Sequence, residues 1–512
     1  MTLDDLRHGA TIADVLRENV RVRAGAEAVT DGTRRLSWRE LYEAANSSAS
    51  HMTALGLHAG DRVAVVLPNQ IESVILYWAC ALSGVLFVGI NPRFGHDDLE
   101  NILRHSGARF AFVGDDALAR RIRELSLPGL HDVIAVEATD PVGLFTQPLR
   151  SAAHGPLVGR DDAFALCYTS GTTGRPKGAM LTHGNLVWNA ATVAEHLGCG
   201  PEDTLLLTVG ITHIFGLSAG VLAAAVAGAR LVVLKTFAAA AALDLCEWEG
   251  VTILHGNPTM FVLELAAQRR APRDLAALRT GIIAAAPVPP DLVDAVRYEL
   301  HCDVQIAWGL TETAPAVTMT RSDDEPHARR VTVGRPLPGV RIQIDKTGHE
   351  YGEILVKSPG VFRGYFNDPE LTRDSFTEDG WFRTGDLGLM DAAGYLHLMG
   401  RLKEIVIRGG LHVYPDEVER VLAEQPWIEA VALVGIPDAV LGERTCACVV
   451  LSEQHGVPDD LLAAIRNAIV SRLADYKVPD AVLRVAELPR NQAGKVLRGQ
   501  LRQDAIARIA GG

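Results

Sequence analysis

From Tyr168 to Leu181 the chain reads Y-T-S-G-T-T-G-R-P-K-G-A-M-L, a cluster of glycines and hydroxyl residues closed by a lysine. Gly171, Gly174 and Gly178 let the backbone approach an anion closely and reach positive φ. Backbone N–H groups and the hydroxyls of Thr169, Ser170, Thr172 and Thr173 can ring phosphate oxygens, and Lys177 adds a point charge. The apolar run Leu166, Cys167, Tyr168 leads in as a buried strand. Such clusters also mark ordinary surface loops, but a lysine and a proline placed directly after a strand tilt this one toward a phosphate clamp. It is not a Walker A loop: where the second glycine would stand, counting from Gly171 or Gly174, the chain has Pro176 and Ala179. The dinucleotide fingerprint is missing too, because after Gly198 and Gly200 the third glycine position holds Asp203.

The 512 residues suffice for a large core and two or more domains. Apolar content of 48% and charged content of 22% are those of a globular protein. Lys plus Arg (49) against Asp plus Glu (62) leaves a net charge of −13, a poor match to nucleic acid or an anionic membrane surface. Seven scattered cysteines predict reduced thiols and a cytoplasmic protein, monomeric or homodimeric. Cys446 and Cys448, two apart in a strand-like run, read as packing residues of one strand face. The N-terminal M-T-L-D-D-L-R lacks the pattern of a signal peptide. Ser73 to Ile90 carries no charge over eighteen residues, yet Ser83-Gly84 interrupts it. A helix ending near Leu82, a Gly84 cap and a buried strand fit better than a membrane span.

The elements that must carry the clamp alternate. Val63–Leu67, Val85–Ile90 and Phe110–Val113 read as strands, Trp38–Leu55 and Asp97–His105 as helices. Beyond the loop the pattern repeats, with strands at Leu205–Val209, Arg230–Leu234 and Thr252–Leu254 and an Ala-rich helix at Ala219–Ala229. This is an α/β architecture of sheets with helices on their faces. Between Val333 and Tyr395, Gly and Pro punctuate short alternating runs, as hairpins or a small barrel require. About a hundred further residues have their own alternation: strand Ile405–Ile407, helix Pro415–Glu424, strands Ala430–Val434 and Thr445–Leu451, helix Asp459–Leu473. The expected division is residues 1–402, two αβ-sheet subdomains plus a small barrel, and residues 403–512, a small α+β domain on a hinge near Lys403.

In order along nearly the whole chain, these stretches resemble the adenylate-forming superfamily of acyl-CoA synthetases, 4-coumarate–CoA ligases, firefly luciferase and nonribosomal adenylation domains. Y-T-S-G-T-T-G-R-P-K-G-A-M-L-T-H resembles its phosphate loop, which implies ATP contacts for Thr169, Ser170, Gly171, Thr172, Thr173, Gly174 and Lys177. T-H-I-F-G-L, with His213 and Phe215, resembles the segment beside the substrate carboxylate. I-I-A-A-A-P and W-G-L-T-E-T imply nucleotide contacts for Ala285, Ala286, Pro287, Trp308 and Gly309, with Thr311 on the α-phosphate and Glu312 on Mg²⁺. W-F-R-T-G-D-L-G and G-R-L-K-E bring Asp386 and Arg401 to the ribose and put the hinge at Lys403. R-G-G-L-H-V-Y-P supplies Gly409 and Gly410 to the acceptor tunnel, and L-P-R-N-Q-A-G-K supplies the catalytic Lys495.

The chemistry of these residue types agrees. A carboxylate is a poor electrophile until joined to the α-phosphate of ATP as an acyl adenylate, whose AMP leaves readily. The transition state spreads negative charge over that phosphate, where fixed cations and dipoles are the largest catalytic effect. Lys495 can bridge carboxylate and α-phosphate, while Lys177 and the hydroxyl-rich loop hold the departing pyrophosphate. One carboxylate, Glu312, suits Mg²⁺, and the two oxygens of Asp386 match a ribose diol. Lys495 must then leave before the second nucleophile attacks, which the hinge permits.

Three positions depart from the family around the acyl pocket, which the resemblance lines with His213, Phe215, Asn257, Ala284 and Gly309. Trp308 replaces the usual tyrosine, Ala284 adds a methyl where glycine is common, and Asn257 puts an amide where small or aliphatic residues are common. A buried Asn needs partners, either nearby backbone or a polar atom of the substrate. Together they point to a compact, cyclic or aryl acid. The expected acceptor is CoA, with an amine or amino acid as the alternative and a non-catalytic adenylate sensor as a different class of answer. Intact Lys177, Glu312, Asp386 and Lys495 oppose the sensor.

Overall fold

The computed structural model describes residues 1–136, 158–169, 177–346, 351–408, 411–438, 440–452, 455–470, 472–473, 475–490 and 494–510. Helices start and stop where side chains satisfy their ends. Ser37 and Glu40 form a reciprocal cap on Trp38–Ala54. Ile71–Ser83 ends at Gly84, whose φ of 73° is the left-handed conformation that glycine adopts without strain. Thr182 caps His183–His196 through the Asn185 N–H.

Among the described residues, seven strands form one mixed sheet in the spatial order Gly364–Tyr365, Lys177–Thr182, Ala163–Thr169, Leu86–Gly89, Arg62–Val66, Phe110–Val113, Asp132–Ala135. From Ala163–Thr169 onward all neighbours are parallel, and the first two strands join antiparallel. A nine-stranded sheet runs Arg335–Pro336, Thr318–Met319, Asp303–Trp308, Thr280–Ile283, Ile253–Leu254, Thr204–Leu207, Arg230–Val233, Glu27–Thr30, Arg35–Ser37. It too has a parallel centre between antiparallel edges. Val63 and Val65 of one sheet and Leu205 and Leu207 of the other share one core with helices Ile71–Ser83 and His183–His196. Their alternates Ala64, Val66 and Leu206 pack outward under separate helix layers. All thirteen residues of Ile71–Ser83 are buried, so burial between two sheets explains the chargeless run. No described helix is long and apolar enough to cross a membrane.

The Ala-rich segment differs from expectation. It opens as a π-helix, Phe215–Leu222, and only Ala223–Ala227 is α-helical. Gly216 and Gly220 pack it hard on the sheet: a Cβ there would lie 2.4 Å from the Gly210 oxygen or 2.6 Å from Leu207 Cδ1. Wide turns of this kind concentrate at functional sites.

By contacts the chain divides into two compact units, Met1–Arg341 with Val356–Phe382, and Ile342–Leu355 with Arg383–Gly512. The segment expected as hairpins or a barrel is a four-stranded sheet of Arg341–Asp345, Gly352–Lys357, Phe382–Met390 and Leu396–Arg401. The contact boundary thus falls about twenty residues before the expected pivot, because a sheet's strands group by pairing rather than by motion. The second unit also holds the 3₁₀ turn Leu402–Glu404 and a sheet that includes Ile428–Asp438 and Gly442–Leu451. Cys446 and Cys448 are buried there in one core with Leu488, Leu501 and Ala505.

Glu264, on helix Pro258–Arg270, is 1% exposed, and among the described residues neither of its carboxyl oxygens finds a hydrogen-bond partner. Burial pushes its pKa well above the usual carboxylate value. A raised folded-state pKa gives stability at low pH that is lost as pH rises from about 4.3, where the unfolded carboxyl ionises, through the folded pKa. Wild-type stability should fall across that window by about 1.4 kcal/mol per pH unit from this group, and Glu264→Gln should remove that slope. Thermal unfolding of both proteins from pH 5 upward checks it; parallel curves would exclude Glu264 as the source.

Candidate functional site

In the first unit the chemistry-bearing residues gather where parallel strands end. Ile283 pairs with Ile306, and Gly256 bridges to Ile283, so Asn257, Ala284–Ala286 and Gly309 leave their strands side by side, Gly309 directly after Trp308, the last strand residue, which still pairs with Thr318. In open α/β sheets this carboxyl edge is where ligands bind. Ala285 has φ +71°, a strained left-handed conformation for a residue with a Cβ. Gly309 admits no side chain, because a Cβ would lie 1.7 Å from the Pro315 carbonyl oxygen.

The expected phosphate loop is closed by a hairpin in which Thr169 pairs with Lys177 and Tyr168 with Gly178. Ser170, Gly171, Thr172, Thr173 and Gly174 lie outside the described residues. The Lys177 ammonium sits 5.5 Å from the centroid of the Tyr365 ring, a cation–π contact. The Tyr365 hydroxyl donates to Glu312 Oε1 at 2.7 Å. Glu312 is 7% exposed on the short turn Thr311–Thr313, and its carbonyl accepts from Phe362 N–H at 2.8 Å. Thr311 beside it is half-buried. Burial first, and the Glu312 charge second, raise the Tyr365 pKa, so the hydroxyl stays a donor. Tyr365 thus joins Lys177 to Glu312, a link that sequence reasoning missed. One buried carboxylate with one oxygen already engaged fits Mg²⁺, which binds proteins through one or two carboxylates and takes phosphates and waters besides.

His213 is ringed by protein yet exposed, as a residue lining a cleft must be. Its Nδ1 accepts from the Phe215 N–H at 3.2 Å, which leaves the proton on Nε2. The surrounding protein lowers its pKa and favours the neutral ring. Phe215, buried, stacks on His255 with centroids 5.7 Å apart and planes at 21°. His255, unremarked in the sequence, is a satisfied core histidine. Its Nδ1 accepts from Ile282 N–H at 3.0 Å, its Nε2 faces the Ala219 carbonyl at 3.2 Å, and burial pushes its pKa down to about 4. Asn257 is half-buried and has a local partner: its Oδ1 caps helix Pro258–Arg270 by accepting from Met260 N–H at 2.9 Å.

In the second unit Asp386 pairs across strands with Arg401, whose Nε lies 3.0 Å from Asp386 Oδ1. Asp386 is 6% exposed. Lys495 shares this neighbourhood. The residue is exposed along its length, but crowding around its ammonium, followed by repulsion from Arg401, lowers its pKa. The attractions of Glu404 and Asp386 act the other way. Lys403 lies in the turn Leu402–Glu404, whereas Gly409 and Gly410 are outside the described residues.

Comparison with known proteins covers both units. The model of the AMP-binding enzyme family matches residues 16–366, and that of the AMP-binding enzyme C-terminal domain matches residues 417–495. A feruloyl-CoA synthase from Amycolatopsis is 35% identical over 94% of this chain and 96% of its own. A Mycobacterium tuberculosis CoA ligase, named for a methyl-dioxo-octahydroindenyl propanoyl group, is 35% identical over 98% of this chain and 99% of its own. The ATP-bound crystal structure of MatB from Rhodopseudomonas palustris superposes with a TM-score of 0.87 at 30% identity, over 96% of this chain and 99% of that one.

Removing the Tyr365 hydroxyl tests the link between Lys177 and Glu312. A hydrogen bond to a charged group contributes about 1.5–3 kcal/mol, so Tyr365→Phe should weaken ATP binding in the presence of Mg²⁺ roughly tenfold or more and lower the melting temperature, because the buried Glu312 loses that donor. Calorimetric titration reads this. Equal affinities would dismiss the link.

Proposed function

The chain belongs to the AMP-binding enzyme family, and on that premise we propose that it joins a carboxylic acid to AMP, releases pyrophosphate, and transfers the acyl group to CoA. The observation that carries the acceptor is that relatives 35% identical over at least 94% of this chain are a CoA synthase and a CoA ligase. Transfer to an amine loses its ground, and an adenylate sensor would have no use for Lys495.

The first unit contributes charge and dipoles. Lys177, held on the Tyr365 ring, neutralises the phosphates that depart as pyrophosphate, together with Thr169 and the loop Ser170–Gly174. Mg²⁺, when bound, supplies further positive charge to that leaving group, with Glu312 as its protein ligand. Thr311 donates its hydroxyl to the α-phosphate, and Gly309 leaves room for the acyl–phosphate junction. Ala285, Ala286, Pro287 and Trp308 bound the adenine. His213, neutral with its proton on Nε2, donates toward the substrate carboxylate without competing for it as a cation.

The second unit contributes the ribose acceptor Asp386, oriented by Arg401, and Lys495, which places positive charge between carboxylate and α-phosphate as the new P–O bond forms. After pyrophosphate leaves, residues 403–512 turn about Lys403, withdraw Lys495 and present Gly409 and Gly410 to the pantetheine thiol.

For the acid, Phe215 on the fixed His255 ring makes a rigid aromatic wall, and the Ala284 methyl narrows the cleft further. Asn257 offers only its Nδ2 to a ligand, since Oδ1 caps a helix. This favours a compact cyclic or aryl acid over a long acyl chain, in keeping with the feruloyl and indenyl groups in the relatives' names. Pyrophosphate release across a panel of acids, with mass spectrometry after addition of CoA, tests the proposal. No acid giving pyrophosphate above background would refute it.

The role of Lys495 separates the half-reactions. Removing a preorganised charge from the transition state costs on the order of 10²–10³ in rate. Lys495→Ala should lose adenylation by that factor and keep transfer from a supplied acyl adenylate to CoA. An equal fall in both would show that Lys495 is misassigned.

A further inference from the structure

The chain on either side of residues 491–493, which lie outside the described residues, is tied together just before and after Lys495. Arg490 pairs with Val496 as an antiparallel bridge, Leu497 N–H donates to Pro489 O at 2.8 Å, and the Arg490 guanidinium donates to Gly494 O at 2.8 Å. Helix Arg498–Ala510 starts directly after Leu497. The guanidinium of its first residue, Arg498, finds an acceptor for each of its five N–H groups. Nε lies 2.9 Å from Glu404 Oε2. Nη2 donates to Asp416 Oδ1 at 3.2 Å and to Glu419 Oε2 at 2.9 Å. Nη1 donates to Glu419 Oε1 and, at 3.0 Å, to Leu433 O.

The three carboxylates come from two places, while Leu433 lies on strand Ile428–Asp438. Asp416 and Glu419 lie on helix Pro415–Ala423, but Glu404 closes the turn Leu402–Glu404 and immediately follows Lys403. A side chain three residues after the catalytic lysine is therefore bonded to the residue after the pivot. Three carboxylates around one cation are more than pairwise charge balance asks. Burial and the neighbouring Glu419 push the Asp416 carboxyl up to about 6 even though the Arg498 charge draws it down. Arginine alone can serve here, since its planar fork satisfies several carboxylates at fixed angles where a lysine gives one point charge.

We propose that Arg498 is a positioning residue for Lys495: through Glu404 it couples the lysine-bearing turn to the segment beside the pivot, so that rotation at Lys403 carries Lys495 as part of one rigid body. This rests on the reading of Lys495 and Lys403 given under the proposed function. Without the Glu404 contact the lysine turn keeps its hold on helix Pro415–Ala423, on Leu433 and, through Val496, Leu501 and Ala505, on the sheet core, but it loses its link to the segment beside the pivot. Its position then no longer follows the pivot closely, and a displacement near 1 Å costs on the order of 10²-fold in a reaction that depends on alignment.

Removing Arg498 outright would strand Asp416 and Glu419, so the decisive variant is Glu404→Ala, which leaves Arg498 paired with both. In the full-length protein, Glu404→Ala should lower kcat for pyrophosphate release by roughly ten- to a hundredfold, with KM for ATP and acid within about twofold. Transfer from a supplied acyl adenylate to CoA should stay within about twofold, and the melting temperature should not move. Arg498→Lys should give the same split between half-reactions. Unchanged adenylation in Glu404→Ala, or equal loss in both half-reactions, overturns the coupling. Lys495→Ala runs beside them as the control: if it adenylates normally, the underlying reading of Lys495 is wrong and the coupling falls with it.

Discussion

A strand packed on both faces has no side chain to spare for chemistry, and both large sheets of this protein are packed on both faces. Val63 and Val65 face the shared core, while Ala64 and Val66 face the outer helices. Leu205 and Leu207 alternate with Leu206 in the same way. Only the residues that follow the strands are free of this duty, and in a parallel sheet those ends lie along one edge. Hence Asn257, Ala284–Ala286 and Gly309 emerge together although more than fifty residues separate the first from the last. Close approach of backbone at that edge then dictates Gly309, whose Cβ would collide with the Pro315 carbonyl, and holds Ala285 at φ +71°.

Charge is the second constraint. A buried carboxylate must be hydrogen-bonded or paired to persist, and the obvious partner for Glu312 would be a lysine. A Lys177–Glu312 ion pair would consume both charges. Here the hydroxyl of Tyr365 satisfies Glu312 with a neutral donor, and the ring of the same residue receives Lys177. Each charged group is held in place by contacts that leave its sign uncancelled. A polyanion and a divalent cation need groups prepared in that way, because neither must break an ion pair in order to bind.

Much of this was legible in the residue types. The end of a helix at Gly84, the capped helix after Ser37 and the strand Phe110–Val113 follow from local rules of capping and period, and local rules do not depend on distant partners. The chargeless run from Ser73 was readable because a serine and a glycine interrupt it. Tyr365 was not readable: it lies on a two-residue edge strand, 53 residues from the glutamate it supports, and only the sheet brings the two together. The π-helix at Phe215–Leu222 escaped because an Ala- and Gly-rich run has the same composition in either helix. The close contacts of Gly216 with Gly210 and of Gly220 with Leu207 accompany the wide turn, and residue type alone does not announce them. Asn257 takes the nearby-backbone partner that one of its two readings named, since a helix cap is a local role and Pro258 at the next position signals it.

On the proposed role of Lys495, the second unit meets a different demand, that one cation be decisive in the first step and absent from the second. A lysine on a long flexible stem could simply swing aside, at the cost of being imprecise when needed. Here the turn around Lys495 is closed by a bridge, two carbonyl contacts and the start of a helix, so precision comes from the backbone and the stem contributes little. Rigidity of that kind leaves only one way to remove the charge, which is to move the body that carries it. The neighbourhood favours a short stay as well. Lys495 lies near the cations Arg401 and Arg498 and the carboxylates Glu404 and Asp386, and crowding of its ammonium, then repulsion from Arg401, lowers its pKa. On the proposed role, a phosphate bound beside Lys495 would relieve that repulsion and its departure would restore it, so the state of the substrate biases when Lys495 stays and when it leaves.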